Sequence, residues 1–331
     1  MMRKMKVAQI GTSANSHGNL IWNSLKKQSD IFEIVGYAFP ENEREKFPKA
    51  MMHFEGYREM TVEEILNDSE IEAVVIETEE IYLTKYAIMA AKAGKHIHME
   101  KPGGRKLREF ETLMKIMKDS EKVFHVGYMY RYNPCVIELM QQIENGDFGE
   151  IISIEAQMSC THKKEVREWF GNFKGGNMFF LGCHLIDLIF RIQGTPKNII
   201  PLNRSTGVDG VNAEDFGMAV LEYERGASFA KVNSTEMGGY LRRQFVVTGT
   251  KATVELKPFE IDTGCGHKTT KTYCDFTDWH QNGIQTTTEI FDRYDGMMRA
   301  FAEYVVGEKN NPYTLDYELE LYKIILKCCG A

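Results

Sequence analysis

The stretch "KVAQIGTSANSHGNLIWNSLKKQ", residues 6–28, decides the fold. It begins with a short apolar run that is typical of a buried strand, and from Gly18 onward it has the apolar spacing of an amphipathic helix. A polar turn that contains Gly11 joins the two parts. A strand, a glycine-containing turn and a helix in this order predict the first βα unit of a parallel sheet.

The same alternation of strand and helix continues to about residue 130. Further strand-like runs are "FEIVGYAF" (32–39), "IEAVVIET" (71–78), "KHIHME" (95–100) and "KVFHVGYM" (122–129). Helical patterns separate them, and one of these opens on a capping box formed by Thr61 and Glu64. Repeated βα units predict an α/β domain with a doubly wound parallel sheet of the Rossmann type.

The pattern changes near residue 150. Strand runs are now separated by turn signals such as Arg225-Gly226 and Gly249-Thr250. One buried helix is predicted within residues 175–190, and two more helices are predicted around 289–307 and 314–329. This order predicts an α+β domain with an antiparallel sheet and helices on one side. Because no flexible linker separates the halves, we expect two closely packed domains with a ligand cleft between them.

Composition excludes several classes of protein. A formal net charge of -7 argues against a nucleic-acid-binding surface. The chain lacks an apolar run of about 20 residues, so we predict no membrane span. Seven cysteines without metal-type or CxxC spacing predict reduced thiols in a cytoplasmic protein. His96 and His98 share one strand face, but with no third ligand in sight we predict no metal site. A small molecule is therefore the expected partner.

The turn after the first strand is the candidate phosphate site. Gly11 fits a tight turn and Gly18 would allow close packing of helix on strand, but Ser13 replaces the middle glycine of the usual motif. The expected donors to phosphate are the polar groups of Thr12, Ser13, Asn15 and Ser16. After the second strand, Phe39 occupies the position where an acid usually binds the ribose. Glu41 or Arg44 could serve instead, so NAD and NADP both stay open.

Two further segments carry chemistry. "HIHMEKPGG" (96–104) delivers Glu100 and Lys101 to the carboxyl end of a strand, where a lysine can stabilise charge on a substrate oxygen. "GGNMFFLGCHLIDLIF" (175–190) places His184 and Asp187 on one face of an apolar helix. Phe180, four residues before His184, is predicted on the same face. Spacing alone leaves two readings of this polar pair, a satisfied core pair or an active site.

Four segments resemble the glucose–fructose oxidoreductase / inositol dehydrogenase / MocA family. They are "AGKHIHMEKPGG", "VGYMYRYNP" (126–134), "FGEIISIEA" (148–156) and "GGNMFFLGCHLIDL". The resemblance extends over nearly the whole chain. It implies a Rossmann domain, placed at residues 1–128, and an α+β domain with an open, mostly antiparallel sheet at 129–331, whose C-terminal helix would pack back on the first domain. It also implies a nicotinamide cofactor, sugar or polyol substrates, and homodimers or homotetramers formed through the second sheet.

The resemblance also implies roles for individual residues. Lys101 matches the lysine that orients the reacting oxygen, and His184 matches the usual proton acceptor. Asp187 matches an acid that supports the helix, and Arg131 and Tyr132 match a segment that borders the cleft. The implied substrate-binding set is Lys101, Arg131, Phe180, His184 and Asp187. The implied cofactor-binding set is Gly11, Thr12, Ser13, Asn15, Ser16, Thr78, Glu79, Glu100 and Lys101.

The sequence departs from the family pattern around these positions. Phe180 replaces an aspartate that usually precedes the histidine by one turn, and Thr78-Glu79-Glu80 replaces a usual Thr-Pro-Asn. The leading hypothesis is an NAD(P)-dependent oxidoreductase that acts on a sugar-like or polyol alcohol or ketone. The alternatives are a catalytically silent binding or regulatory protein of the same fold and an NAD-dependent glycosidase.

Overall fold

The computed structural model describes residues 3–13 and 15–331. The N-terminal part alternates strands with helices, as the sequence predicts. Its strands are β1 (Met5–Ile10), β2 (Phe32–Ala38), β3 (Ala73–Ile76), β4 (His96–Met99) and β5 (Phe124–Val126). Its helices are α1 (Gly18–Lys27), α2 (Glu43–Lys46), α3 (Val62–Asn67), α4 (Leu83–Lys92) and α5 (Leu107–Ser120), with a 3-10 helix at Pro48–Phe54. The predicted capping box forms at the start of α3, where the Thr61 and Glu64 side chains each accept the other residue's backbone N–H.

The five strands form one parallel sheet in the order β2-β1-β3-β4-β5. All four residues of β3 are buried, as expected for a strand covered by helices on both faces. The strand order reverses direction between β1 and β3, and ligands of open α/β sheets bind outside the carboxyl ends of the strands at such a point. The fold therefore places its ligand edge where Gly11, Glu77 and Glu100 follow their strands.

The second part of the chain carries ten strands. They are β6 (Ile151–Gln157), β7 (Asn198–Arg204), β8 (Phe216–Glu222), β9 (Ala227–Asn233), β10 (Gln244–Gly249), β11 (Thr253–Leu256), β12 (Ile261–Asp262), β13 (His267–Lys268), β14 (Thr270–Cys274) and β15 (Ile284–Thr287). Eight of them form an open sheet in the order β15-β14-β11-β10-β6-β9-β8-β7, in which only the β6–β9 pair is parallel. The sheet is therefore mostly antiparallel, as the family resemblance implies.

The helices of this part are α6 (Pro134–Glu144), α7 (Lys164–Trp169), α8 (Cys183–Gln193), α9 (Asp295–Val305) and α10 (Leu315–Cys328). Short 3-10 segments lie at Met129–Tyr132, Phe170–Asn172, Val208–Gly210 and Gly239–Arg242. Within the described residues, no helix is both long enough and apolar enough to cross a membrane.

The sequence places the start of α9 too early. The helix begins at Asp295 rather than near residue 289, because the preceding segment is extended and Phe291 pairs with His267 in an isolated bridge. The hydroxyl of Ser24 donates to the Asp295 carboxylate over 2.8 Å, which fixes the first turn of α9 beside α1.

The predicted helix within 175–190 is not uniform. A π-helical turn spans Met178–Gly182, and α8 follows it from Cys183. The wider turn brings Met178 against Gly182, where a Cβ atom would lie 2.3 Å from the Met178 sulfur. Phe180 lies within the π turn, and His184 lies in the α-helix that follows it.

Contacts divide the chain into two compact units. One comprises the N-terminal residues to Met129 together with Tyr294–Tyr322, and the other comprises Tyr130–Arg293 and Lys323–Ala331. In the first unit, the Tyr322 hydroxyl donates to the Gly104 carbonyl over 2.8 Å and its ring lies 4.7 Å from that of Phe110. The first part of α10 therefore belongs to the same core as the parallel sheet.

Candidate functional site

The turn after β1 packs closely against the segment that follows β3. Gly11 has φ +88°, and a Cβ atom there would lie 2.4 Å from Cγ2 of Thr78. Gly18, the first residue of α1, is packed less tightly, since a Cβ atom there would be 3.1 Å from the Thr12 hydroxyl. The backbone between β1 and α1 thus passes directly over the start of the segment after β3, as expected for a phosphate-binding turn.

Thr12 is fully buried and its donors are already engaged. Its backbone N–H donates to the Glu43 carboxyl over 2.9 Å, and its hydroxyl donates to Asn19 Oδ1 over 3.0 Å. Glu43 is itself fully buried on α2, and burial raises the pKa of its carboxyl to about 9. Thr12 is predicted from the sequence as a phosphate donor, but its backbone N–H is bound by Glu43, a residue that no sequence motif marks.

Three other residues of the turn form a small network. The backbone N–H of Ser13 donates to the Ser16 hydroxyl over 3.1 Å, and that of Asn15 donates to the Ser13 hydroxyl over 3.2 Å. The Ser16 hydroxyl donates to the Glu77 carbonyl over 3.1 Å. Ser13 and Ser16 also line a cavity of about 660 Å³, whose opposite wall is formed by Lys46–Ala50 and His53. The hydroxyls of the turn are therefore held in place beside a cavity that basic side chains border.

The end of β2 borders a second cavity of about 500 Å³. Phe39, Glu41 and Tyr86 are among its lining residues. The Glu41 carboxylate accepts from the Tyr86 hydroxyl over 2.7 Å and from the Lys85 ammonium over 2.5 Å, and its pKa is lowered chiefly by the bond to Lys85. Glu41 and Arg44 are the two candidates for binding the ribose. Glu41 lines this cavity, whereas Arg44 is not among its lining residues and its guanidinium pairs with Glu59.

The ends of β3 and β4 bring several predicted residues together. Lys101 and Glu100 are each 1% exposed, and the Lys101 ammonium lies 3.5 Å from Glu100 Oε1. His17, immediately before α1, lies 3.4 Å from the same oxygen. Burial alone would raise the pKa of Glu100, but His17 and Lys101 lower it overall. Glu100 is therefore a buried carboxylate that links the phosphate turn to Lys101.

Thr78 and Glu79 lie between β3 and α4. The Thr78 hydroxyl is buried and donates to the Glu79 carbonyl over 3.3 Å. The Glu79 carboxylate lies 3.4 Å from the Lys46 ammonium, and its side chain is 15% exposed. Its neighbours Glu77 and Glu80 are fully buried, and neither is predicted as a site residue from the sequence. A turn between a buried strand and a helix has no periodicity that shows which of three glutamates points inward.

The strand histidines have local partners. His96 Nδ1 accepts the Val123 N–H over 3.0 Å, and His98 Nδ1 lies 2.7 Å from His125 Nδ1. Burial lowers the pKa of both His96 and His98 to about 4. Over residues 3–13 and 15–331, no group of three or more His, Cys, Asp or Glu side chains is arranged to hold a metal ion.

In the second unit, Arg131 and Asp187 form a buried ion pair. The Arg131 side chain reaches the Asp187 carboxylate through Nε at 3.0 and 3.1 Å and through Nη2 at 2.7 Å, and each side chain is 1% exposed. Arg131 lies in the 3-10 turn before α6, so the pair ties α8 to that turn. Both residues are predicted to bind substrate, and the structure joins them to each other.

His184 is also buried, one turn before Asp187 on α8. Its ring lies 5.1 Å from that of Tyr130, edge to face. The Tyr130 hydroxyl donates to Glu260 over 2.9 Å, and Arg243 lies 3.2 Å from the same hydroxyl. The Arg293 guanidinium contacts the other oxygen of Glu260. This network cannot be predicted from the sequence, because Glu260, Arg243 and Arg293 lie far along the chain from His184.

Phe180 occupies an aromatic cluster. Its ring lies 5.4 Å from that of Trp169, 5.5 Å from Phe170 and 6.1 Å from His162. His162 also contacts the Cys160 thiol, and burial lowers its pKa to about 4. The position where the family resemblance implies an aspartate is therefore packed among aromatic rings and a histidine.

The fold and these residues define a dinucleotide-binding protein with a separate α+β unit. Residues 5–128 match a family model described as an oxidoreductase family with an NAD-binding Rossmann fold. Residues 136–255 match the GFO/IDH/MocA C-terminal domain. The chain belongs to the GFO/IDH/MocA family of oxidoreductases, as the sequence segments indicate.

Three individual relatives show low sequence identity to this chain. An uncharacterised oxidoreductase of Rhizobium meliloti is 26% identical over 76% of this chain and 74% of its own length. A scyllo-inositol 2-dehydrogenase (NADP(+)) of Bacillus subtilis is 26% identical over 67% of this chain and 61% of its own length. The solved structure of a levoglucosan dehydrogenase with NADH and levoglucosan has a TM-score of 0.80 and 18% identity, and covers 99% of this chain and 98% of that one. The last similarity shows a shared fold over the whole chain.

Proposed function

We propose that this protein is an NAD-dependent dehydrogenase or reductase that acts on a CH–OH group of a sugar or polyol. The observation that carries the proposal is the buried Lys101 beside Glu100 at the ligand edge of a domain that matches the NAD-binding family. Relatives named for scyllo-inositol and levoglucosan support the substrate class. Residues 1–128 would bind the nucleotide and residues 129–331 the substrate.

The residues at the ligand edge fit a dinucleotide. Gly11 lets the turn after β1 pack closely on Thr78, and the hydroxyls of Ser13 and Ser16 lie in the same turn, where they could meet a pyrophosphate. Asn15 would contribute from the same turn, and Thr78, Glu79, Glu100 and Lys101 would border the other half of the molecule. When bound, the nicotinamide accepts or donates a hydride, which is chemistry that no side chain provides.

We further propose NAD rather than NADP as the preferred cofactor. Glu41 lines the cavity at the end of β2, where the adenosine half of a dinucleotide lies in this fold. Its lowered pKa keeps the carboxylate charged at neutral pH. The carboxylate would therefore accept hydrogen bonds from the ribose hydroxyls and repel a 2′-phosphate.

Roles for two residues follow from the family resemblance. Lys101 would hold the reacting oxygen and stabilise charge on it, and His184 would accept or return the hydroxyl proton. Arg131 and Asp187 are better described as positioning residues, because their mutual ion pair fixes the helix that carries His184. Phe180 would give the substrate site an apolar wall.

The proposed assembly is a homodimer or homotetramer formed through the eight-stranded sheet. One face of that sheet carries an apolar patch at its β7 end. Ile200 and Leu202 on β7 are each 40% exposed, and their strand partners are Val220 and Met218 on β8. Polar residues such as Lys231 and Glu155 continue this face on β9 and β6. An exposed apolar patch with a polar border is typical of an interface between identical subunits. The seven free cysteines support a reducing, cytoplasmic location.

A nucleotide titration tests the cofactor proposal. Fluorescence of the reduced nicotinamide, measured with NADH and with NADPH, should show binding of both and tighter binding of NADH. Replacing Glu41→Ser should reduce the preference for NADH about tenfold, since a single charge near a phosphate has an effect of this order. Glu55→Gln, which changes an exposed carboxylate of the same unit, should leave the preference unchanged. A protein that binds neither NADH nor NADPH would overturn the proposed function.

A further inference from the structure

Three buried glutamates follow two neighbouring strands. Glu77 comes directly after β3, Glu80 three residues later, and Glu100 directly after β4. Glu77 and Glu80 are 0% exposed and Glu100 is 1% exposed. Because β3 and β4 are parallel and Ile76 pairs with Met99, all three carboxyls lie at the ligand edge of the sheet.

Two of these carboxyls form no hydrogen bond with the residues that the structure describes. Both oxygens of Glu77 and both oxygens of Glu80 have no hydrogen-bond partner among the described residues. His98 Nε2 lies 3.6 Å from Oε1 of Glu77, beyond hydrogen-bonding distance. A buried carboxyl without hydrogen bonds is costly, and such groups in native proteins usually indicate a ligand, water or catalytic role. Two adjacent examples at a ligand edge indicate that something binds against them.

The order of the strands indicates which half of a dinucleotide would lie against Glu77 and Glu80. The β2 side of the switch point takes the adenosine half, and the other half extends over the strands beyond β1. Glu77, Glu80 and Lys101 follow β3 and β4, which are those strands. On the proposed function, the glutamates therefore stand on the nicotinamide side of the cofactor.

The charges around the cluster come from several elements of the first unit. They are His17 before α1, Glu79 and its partner Lys46 beyond β3, His98 with its partner His125 on β4 and β5, and Glu100 and Lys101 after β4. Lys101 is the ammonium group beside the three buried carboxyls, and Glu79 adds a fourth carboxyl that is paired with Lys46. Burial, followed by repulsion from the other carboxyls, raises the pKa of Glu77 well above its usual value. Burial raises the pKa of Glu80 to about 8, although Lys101 opposes this rise.

We propose that Glu77 and Glu80 set the preference for the oxidised cofactor, because their carboxylates stabilise the cationic ring of NAD+ and do nothing for the neutral ring of NADH. The inference rests on the proposed function, since it requires a nicotinamide at this edge. Binding of NAD+ is then coupled to loss of a carboxyl proton, which passes to solvent. Binding of NADH leaves the carboxyl protonated.

The coupling gives a definite pH dependence. NAD+ affinity should rise with pH from about 6 to about 9, because less work is needed to ionise the carboxyl as pH approaches and passes its pKa. NADH affinity should not rise. The ratio of the NADH to the NAD+ dissociation constant therefore increases with pH in the wild-type protein.

The experiment is calorimetric titration of the full chain with NAD+ and with NADH at several pH values in this range. Glu80→Gln and Glu77→Gln keep the shape of a protonated carboxyl and remove its ability to ionise. Each should flatten the pH dependence and lower the ratio about tenfold at the highest pH. Glu70→Gln removes an exposed carboxylate at the other end of β3, paired with Lys6, and should behave as wild type.

The outcomes separate the two proposals. A wild-type protein that binds neither nucleotide overturns this inference together with the proposed function. Binding of both nucleotides with a ratio that neither substitution changes overturns this inference alone. Thermal unfolding checks each variant, and if one does not fold, the ratio measured for the other decides.

Discussion

At the scale of single residues, sequence motifs identify the side chains that could carry chemistry. They do not show which other polar side chains the fold buries. Lys101 and His184 come with recognisable segments, so the sequence points to both. Glu43 and Glu80 come with no motif. Their properties arise from what the fold places around them, and a glutamate in a polar segment is normally exposed. The sequence therefore predicts the named residues of the site better than their electrostatic surroundings.

Glu43 allows a direct test of this point. Its pKa is raised to about 9 in the folded state, so the folded protein holds a proton that the unfolded chain has lost above about pH 4.5. Stability from this group is present at low pH and is lost as pH rises towards 9. Glu43→Gln should match the wild-type free energy of unfolding near pH 5 and become relatively more stable at higher pH, by up to about 1.4 kcal/mol per pH unit.

Urea unfolding of both proteins across this pH range measures the difference. Glu45→Gln, on the exposed side of the same short helix, is the matched control and should show no such trend. A difference between Glu43→Gln and wild type that stays constant with pH would contradict a protonated Glu43.

At the scale of elements, periodicity predicts type well and boundaries less well. The parallel strands and the helices α1, α3, α4 and α5 follow the predicted runs, because buried strands and amphipathic helices have clear patterns. The four-residue helix α2 is too short to show such a pattern, and the sequence does not predict it. The π turn at Met178–Gly182 is not predictable from the same pattern, since it depends on the close contact between Met178 and Gly182. The start of α9 differs because Phe291 pairs with a distant residue, His267.

The ion pair on α8 gives the prediction at this scale. Asp187→Asn leaves the buried Arg131 guanidinium without its counter-charge, and breaking a buried pair in this way costs about 3–5 kcal/mol. Arg191→Ala, on the same helix, breaks a pair with Glu144 in which both side chains are over one-third exposed. That change should cost about 1 kcal/mol or less. Equal losses of unfolding free energy in the two variants would contradict a supporting role for Arg131 and Asp187.

At the scale of the whole molecule, the fold class is predictable and the order of the second sheet is not. Alternating βα units nearly determine a doubly wound sheet, because parallel strands need crossover helices. In the eight-stranded sheet, β6 lies between β10 and β9, so neighbours in space are remote in sequence. Clustering of Tyr294–Tyr322 with the N-terminal residues likewise depends on contacts such as Tyr322 with Gly104.

The central claim is that Lys101 serves the oxidation of a sugar or polyol by NAD. The most direct measurement is kcat/KM for NAD+ reduction across a panel of sugars and polyols, with the wild type, Lys101→Ala and the control Lys106→Ala, an exposed lysine paired with Glu109. We expect turnover of at least one substrate by the wild type and the control, and a loss of about 10²–10⁴-fold in Lys101→Ala, the range typical of a group that acts on the reacting atoms. Wild-type protein that binds NAD+ and oxidises none of the panel, or a Lys101→Ala variant as active as the control, would contradict the claim.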